Sequence, residues 1–201
     1  MNKIKYLIGI DEVGRGPLAG PVTVCAFCVP KASKLKYSKN LFKDFKDSKK
    51  LSPIKREELS KIAHRAEEEG LIKFSVFSVP AAYIDARGIS QAVKLAISKC
   101  LKKLNLAPSE CQVMLDGLLH APEEYVFQKT IIKGDEKIKV ISCASVMAKV
   151  HRDAFMIKMD KKYSQYGFKD HKGYGTKQHI SMIKKHGSSK IHRLTFLKGI
   201  L

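Results

Sequence analysis

The chain has 201 residues, which suits one domain large enough for a hydrophobic core, and 44% of the residues are hydrophobic. No uninterrupted apolar segment reaches the roughly 18 residues of a membrane span, which argues against a membrane protein or a membrane partner. The N-terminus runs directly into a predicted strand without a secretory signal, and the five cysteines lack the spacing of a disulfide framework. We therefore expect a reduced, cytoplasmic protein.

Charge is the second compositional feature: the formal net charge is +19, from 38 Lys and Arg against 19 Asp and Glu. It is concentrated in residues 30–50, with eight lysines against two aspartates, and in residues 147–201, with 13 Lys or Arg against three aspartates. Clustered cations neutralise phosphates and release counterions, so they favour a nucleic acid as the partner. A solvated basic surface is the alternative, whereas a membrane-surface helix is disfavoured because no sustained apolar face accompanies the cations.

Hydrophobic periodicity and turn residues predict a mixed α/β domain. We predict strands over 4–11, 19–29, 71–79 and 113–115, and strand-forming segments over 126–132 and 138–142 around a polar turn. We predict helices from Pro53 to Gly70 with Ser52 as the N-cap, and over 89–104, 144–163 and 177–186. Residues 1–201 are treated as one domain, with an α/β core over 1–143 and a basic helical C-terminal part over 144–201.

The first predicted strand ends in two adjacent carboxylates, Asp11 and Glu12, within apolar surroundings. Neighbouring acids there repel each other and lose hydration, so they need positive charge, and a divalent cation is the simplest source. Because side chains alternate along a strand, one acid should ligate directly and the other through a chain bend or a water. The following Gly14-Arg15-Gly16 offers close backbone approach and a fixed cationic fork, which suits a phosphate or a sugar.

Two further acids occupy positions where they can join this pair. Asp116 ends the predicted 113–115 strand and Asp135 lies in a glycine-containing turn. Acids at strand ends can converge on one edge of a sheet and form a metal site, although an aspartate there is, taken alone, usually a turn or cap residue. Asp153 and Glu136 are rivals for the fourth position, and Asp153 more plausibly pairs with Lys149 or Arg152 on the long helix.

Several blocks of this sequence resemble the ribonuclease HII family, the type 2 ribonucleases H. The first block is the run from Gly9 to Gly20, GIDEVGRGPLAG. The later blocks, in chain order, are 47–51 (DSKKL), 115–117 (LDG), 133–135 (KGD), 144–153 (ASVMAKVHRD), 166–168 (YGF) and 171–174 (HKGY).

The resemblance implies a ribonuclease H-like fold, with a central mixed five-stranded sheet flanked by helices. It also implies metal-dependent hydrolysis of the RNA strand of RNA–DNA hybrids, and incision at single ribonucleotides in duplex DNA, leaving a 3′-hydroxyl and a 5′-phosphate. By position, Asp11, Glu12, Asp116 and Asp135 correspond to the family's metal-binding carboxylates. The implied cofactor is Mg²⁺ or Mn²⁺, in a two-ion mechanism.

The same resemblance implies a set of substrate contacts. Gly14, Arg15 and Gly16 correspond to the loop that senses the ribose 2′-hydroxyl, the group that distinguishes RNA from DNA. Tyr174 corresponds to the tyrosine that stacks on the neighbouring sugar. The implied phosphate contacts are Lys49, its neighbour Lys50, Ser48 and Lys172.

Two alternatives remain on the sequence. A ribonuclease HIII-like hybrid nuclease is disfavoured, because that family carries lysine in place of Arg15, lacks the tyrosine at Tyr174 and has an N-terminal extension, whereas ten residues precede Asp11 here. A non-catalytic nucleic-acid-binding module is disfavoured because all four acids are present. We predict a monomer that acts on hybrids and on ribonucleotide-containing duplexes without an obligate protein partner.

Overall fold

The computed structural model describes residues 4–31, 42–46 and 48–201. Within these ranges one mixed sheet has the strand order β3-β2-β1-β4-β5. Strand β1 is antiparallel to β2, and β2 to β3, whereas β1, β4 and β5 run parallel. The strands are β1 (Tyr6–Val13), β2 (Val22–Pro30), β3 (Lys73–Val79), β4 (Cys111–Asp116) and β5 (Gln128–Ile131). The predicted five-stranded mixed sheet is confirmed.

Helices cover both faces of the sheet. They are α1 (Pro53–Glu68), α2 (Ala81–Arg87), α3 (Ile89–Leu104), α4 (Gly134–Lys137), α5 (Lys139–Lys162), α6 (Phe168–His171) and α7 (Lys177–His186). Short 3₁₀ turns span Ser48–Lys50, Pro108–Glu110, Ser164–Tyr166 and Leu194–Phe196. In the part of the chain that the structure describes, no helix combines the length and apolar character needed to cross a bilayer.

Two hydrophobic clusters lie on opposite faces of the sheet. On one face, Ile8 and Ile10 pack with helix α3, and on the other, helices α1 and α5 cover the sheet. The alternation along β2 puts Cys28 in the first cluster and Cys25 in the second, as expected for residues three apart in a strand. Helix α5 approaches β1 closely at Gly9, where a Cβ atom would lie 2.2 Å from the carbonyl carbon of Val140.

Local capping signals place two helices where the sequence predicts them. The Ser52 hydroxyl accepts a hydrogen bond from the Lys55 N–H at 3.2 Å, and Pro53 begins α1. In the same way, the Thr176 hydroxyl accepts from the His179 N–H at 3.2 Å at the start of α7. Each cap satisfies a backbone donor that the helix itself leaves unpaired.

The predicted strand over 138–142 is wrong, because these residues enter helix α5, which begins at Lys139 and not at 144. Residues 140–148 are all buried, since the helix crosses the sheet beneath α1. A helix buried all round loses its one-sided periodicity, so its first turns read as strand. The preceding polar turn becomes the short helix α4, and α2 was not predicted.

The C-terminal region forms a third cluster beyond the sheet, around Met156, Tyr166, Phe168, Ile183 and Leu197. Two fully buried arginines, Arg152 and Arg193, lie between this cluster and the turn after β1. They connect the end of the chain to its beginning.

Candidate metal centre

Three carboxylates meet at the edge where the parallel strands end. Ile10 of β1 pairs with Leu115 of β4, so Asp11 and Asp116 come one position further along two neighbouring parallel strands. Asp135 lies in α4, directly after β5. One carboxylate oxygen from each of the three aspartates lies within 4.8 Å of the others.

Backbone donors fix two of these carboxylates. The Glu12 N–H donates to Oδ1 of Asp11 at 2.7 Å, and the Gly134 N–H donates to Oδ1 of Asp116 at 2.6 Å. A Cβ at position 134 would lie 2.6 Å from Cδ1 of Ile141 and 3.3 Å from the same Asp116 oxygen, so a larger residue there would displace both side chains. Glycine therefore lets the backbone come close enough to orient this acid.

Burial makes the site unfavourable for bare negative charge. Desolvation, followed by repulsion from Glu12 and Asp116, raises the pKa of Asp11 well above its usual range, although Ser145 donates to it. Desolvation also raises the pKa of Glu12 to about 7, against the opposing charge of Arg15. A divalent cation reverses this balance, and clustered carboxylate oxygens are the ligands that Mg²⁺ and Mn²⁺ prefer. The residues present fit such an ion.

Glu12 is outside this close group, although its charge still repels those of Asp11 and Asp116. Its carboxylate is 3.5 Å from Nη1 of Arg15, and among the described residues the close acidic group consists of Asp11, Asp116 and Asp135. This agrees with the expectation that only one of the two neighbouring acids faces the other carboxylates. Of the rival acids, Glu136 forms an ion pair with Lys50 at 3.2 Å.

The turn over 48–50 borders the acidic group. Nζ of Lys49 is 3.9 Å from Oδ2 of Asp135, and the buried Ser48 hydroxyl hydrogen-bonds the Ser145 hydroxyl at 2.9 Å. The lysine ammonium is largely exposed and therefore accessible to a phosphate. Asp47, the first residue of the matching block, lies outside the described residues.

The 14–16 loop follows β1 directly. Gly14 has φ of 89°, and its missing side chain is required because a Cβ would lie 2.3 Å from Nε of Arg152. A Cβ on Gly16 would meet nothing within 4 Å, and the Arg15 side chain is about half exposed. Gly14 is therefore required by the fold, whereas Gly16 faces open space where a ligand can approach.

The segment containing Lys172 and Tyr174 packs beside this loop. The Gly173 carbonyl accepts from the Leu18 N–H at 2.8 Å, so the two segments are joined through their backbones. Tyr174 is 42% exposed, with the Arg152 guanidinium carbon 5.9 Å from its ring centroid. The Lys172 ammonium donates to the carbonyl of Lys169.

Asp153 pairs with Lys149 at 2.8 Å and with Arg56 at 3.7 Å, so its predicted pairing with Lys149 is confirmed. Arg152, the other predicted partner, instead donates to three backbone carbonyls, and sequence reasoning missed this role. It also missed Arg193 and Ser145. The available signal for Arg152 was its spacing of four residues from Ala148 and from Met156, which puts a charged residue in line with an apolar side of the helix.

Comparison with known proteins identifies the family. The sequence model described as Ribonuclease HII matches residues 8–198. A ribonuclease HII of Caldicellulosiruptor bescii is 40% identical over 197 residues, covering 98% of this chain and 89% of that protein.

Solved structures show the same fold. The ribonuclease HII in a PCNA complex from Archaeoglobus fulgidus superposes with a TM-score of 0.76 at 23% identity, covering 96% of this chain and 94% of that one. The Bst-RNase HIII in complex with Mn²⁺ superposes with a TM-score of 0.66 at 17% identity, covering 100% and 70%. Given the sequence match over nearly its whole length, the chain belongs to the ribonuclease HII family and is a metal-dependent endoribonuclease that hydrolyses RNA in RNA–DNA hybrids.

Proposed function

We propose that this enzyme also incises duplex DNA at single ribonucleotides, and that Asp11, Glu12, Asp116 and Asp135 hold two divalent ions for the reaction. The observation that carries the metal assignment is the approach of three carboxylate oxygens within 4.8 Å at the ends of parallel strands. Mg²⁺ and Mn²⁺ both suit an all-oxygen site that acts on phosphate. Glu12 completes the set after a small side-chain movement or through a water.

The reaction joins a water oxygen to phosphorus and breaks the bond from phosphorus to the 3′ oxygen. The products are a 5′-phosphate and a 3′-hydroxyl, which takes up a proton. Bound divalent ions supply activation of the attacking water and stabilisation of the leaving oxygen. Lys49 neutralises charge on the phosphate, and Ser48, Lys50 and Lys172 bind the flanking backbone of the duplex.

Ribose recognition is assigned to the 14–16 loop and to Tyr174. Gly16 leaves the space beside the loop open, so backbone groups can approach a 2′-hydroxyl that DNA lacks. The half-exposed ring of Tyr174 offers an apolar face for the neighbouring sugar. The arrangement favours cleavage beside a ribonucleotide even where the rest of the strand is DNA.

One assay tests the proposal. The protein is incubated with Mg²⁺ or Mn²⁺ and labelled duplex DNA that contains a single ribonucleotide, with all-DNA and RNA–DNA hybrid duplexes alongside, and the cut is mapped. We expect one metal-dependent cut at the ribonucleotide and none in the all-DNA duplex. Cleavage of the hybrid without cleavage at the single ribonucleotide would support the HIII-like alternative.

Gly16→Ala tests the ribose contact separately. Because the added methyl group meets no protein atom within 4 Å, we expect unchanged thermal unfolding but incision reduced by about tenfold or more, since the methyl group occupies the sugar's space. Gly70 also has open space around the position of a Cβ, but its φ of 70° strains alanine, so Gly70→Ala is the control for lost stability: it should lower the Tm and leave incision normal. Normal incision by Gly16→Ala would exclude the loop from ribose recognition.

The monomeric state, the cytoplasmic location and the lack of an obligate protein partner stay predictions. The complex with PCNA belongs to the Archaeoglobus fulgidus protein. Gel filtration with light scattering at assay concentrations tests the monomer directly.

A further inference from the structure

Arg193 is a fully buried cation whose guanidinium binds the 14–16 loop from inside the protein. Its Nη2 donates to the carbonyl of Gly14 at 2.6 Å and its Nη1 to the carbonyl of Arg15 at 2.8 Å. Its Nε donates to the carbonyl of Gly20 at 3.0 Å. One side chain from the end of the chain thus holds both ends of the turn that follows β1.

A second buried arginine binds the backbone that follows the 14–16 loop and the neighbouring segment that contains Lys172. Arg152 donates to the carbonyls of Pro21 at 2.9 Å, Ala19 at 3.2 Å and Lys172 at 2.9 Å. Burial and the proximity of Arg152 lower the pKa of Arg193 to about 9, so bringing the two cations together opposes folding. Six carbonyl contacts offset this cost, and all of them orient backbone rather than side chains.

The two carbonyl contacts of Arg193 determine where the amide hydrogens of the loop point. In a trans peptide the C=O and the following N–H point in opposite directions, and the described chain has no cis peptide bonds. Because the Gly14 and Arg15 carbonyls point inward to Arg193, the N–H groups of Arg15 and Gly16 point outward. Among the described residues neither N–H has a protein acceptor.

The segment that carries Arg193 is itself fixed. The Arg193 N–H donates to the Leu18 carbonyl at 2.8 Å. Asp85 of α2 accepts from the backbone N–H groups of Leu194 and Thr195, each at 2.9 Å, and from the Thr195 hydroxyl at 2.6 Å. A rigid support of this kind is what a binding geometry accurate to a fraction of an ångström requires.

We propose that Arg193 is a positioning residue for ribose recognition, because it turns the Arg15 and Gly16 amides outward as donors to an oxygen of the ribonucleotide. The inference rests on the proposed function of the 14–16 loop and adds the residue that sets its geometry. Arg193 contacts no substrate and acts only through the loop.

The first test is Arg193→Lys, which keeps the positive charge but lacks the forked donors that bind two carbonyls at once. We expect kcat on a duplex with one ribonucleotide to fall about tenfold to a hundredfold, while the Kd for an all-DNA duplex stays unchanged. Arg87→Lys, the same substitution at an exposed arginine at the end of α2, is the matched control. Equal losses of kcat in the two variants would overturn the proposal.

A double-mutant cycle separates this inference from the proposed function. If Arg193 acts through the loop, Arg193→Lys combined with Gly16→Ala loses little more activity than the worse single variant. Additive losses would overturn the positioning role. Unchanged incision by Gly16→Ala alone would overturn the ribose contact itself, whereas a defect in Gly16→Ala with a normal Arg193→Lys would overturn only the role of Arg193.

Hydrogen exchange on the unmodified protein keeps the proposal testable if Arg193→Lys does not fold. We expect the Arg15 and Gly16 amides to exchange rapidly in the free enzyme. They should become protected when a ribonucleotide-containing duplex binds in Ca²⁺ without being cut, but not when an all-DNA duplex binds. Protection of these amides in the free enzyme, or none with the ribonucleotide duplex, would overturn it.

Discussion

At the ends of β1 and β4, buried Asp11 and partly buried Asp116 are acids that repel one another, whereas beneath the 14–16 loop the buried groups are two arginines whose donors point at backbone carbonyls. The acids Asp11 and Asp116 accept one backbone hydrogen bond each and retain lone pairs for a ligand. Arg152 and Arg193 each bind three carbonyls. The acids keep negative charge that the protein does not neutralise, which indicates a site for a ligand. The arginines have their charge satisfied by backbone carbonyls, which indicates that they hold the loop in position.

The largest expected effect tests the acids. Asp116→Asn should lower cleavage of a hybrid by on the order of 10³-fold, since several kcal/mol of charge stabilisation by the metal are lost. Hybrid binding should change little, because it depends on the basic surface. Gel-based cleavage rates and fluorescence anisotropy measure the two quantities. Glu136→Gln, at an acid that pairs with Lys50, is the control, and undiminished turnover in Asp116→Asn would contradict the metal assignment.

The arginines should matter first for stability. Arg152→Leu leaves three carbonyls without their donor, and we expect the free energy of unfolding in urea to fall by about 3 kcal/mol. Lys158→Leu, at an exposed position of the same helix, should change it by less than about 0.5 kcal/mol. Similar losses in both variants would show that the carbonyl contacts contribute nothing.

A neighbouring pair of buried histidines predicts a dependence of stability on pH. Nε2 of His179 lies 3.0 Å from Nε2 of His192, and both rings pack against Phe168 and close to His171. Burial lowers the pKa of each to about 4, with smaller effects from the other histidines. The rings are therefore neutral in the folded protein at neutral pH.

In the unfolded chain these histidines bind protons near pH 6.5, whereas in the folded protein they bind them only near pH 4. The stability that comes from keeping the histidines neutral is therefore complete above pH 6.5 and is lost as the pH falls toward 4. We expect a loss of about 2 kcal/mol between pH 6.5 and 5 for one such proton, measured by urea unfolding. His192→Gln should flatten this slope, whereas exposed His120→Gln should not. An unchanged slope in His192→Gln would exclude the pair as its source.

The smallest expected effects are changes in Tm of opposite sign when two different aspartates are replaced by asparagine. Asp11→Asn removes an acid whose charge is destabilised by burial, so we expect the metal-free protein to gain about 1 kcal/mol, or roughly 2–4 °C in Tm. Asp153→Asn removes an acid paired with Lys149 and Arg56 and should lower the Tm. Thermal unfolding with a chelator present measures both, and a lower Tm in Asp11→Asn would contradict the account of the site.

The sequence predicted those parts of the molecule whose causes are local. The starts of two helices could be predicted from Ser52 with Pro53 and from Thr176, because an N-cap depends only on neighbouring residues. The start of α5 was missed because a helix buried on all sides carries no one-sided pattern. Arg193 was missed because its partners are backbone carbonyls 173 to 179 positions away. Every residue has a backbone carbonyl, so the sequence does not show which ones an arginine will contact.

The absence of a side chain at Gly9 sets the distance between helix α5 and the sheet, and this distance affects the edge where the aspartates meet. The backbone of β1 and that of Val140 touch there, and the same helix carries Ser145, which donates to Asp11, and Ser142, whose hydroxyl donates to the Asp135 carbonyl at 2.7 Å. A larger residue at position 9 would lift the helix and shift both serines together. The geometry of the acidic group is therefore open to adjustment from a residue outside that group.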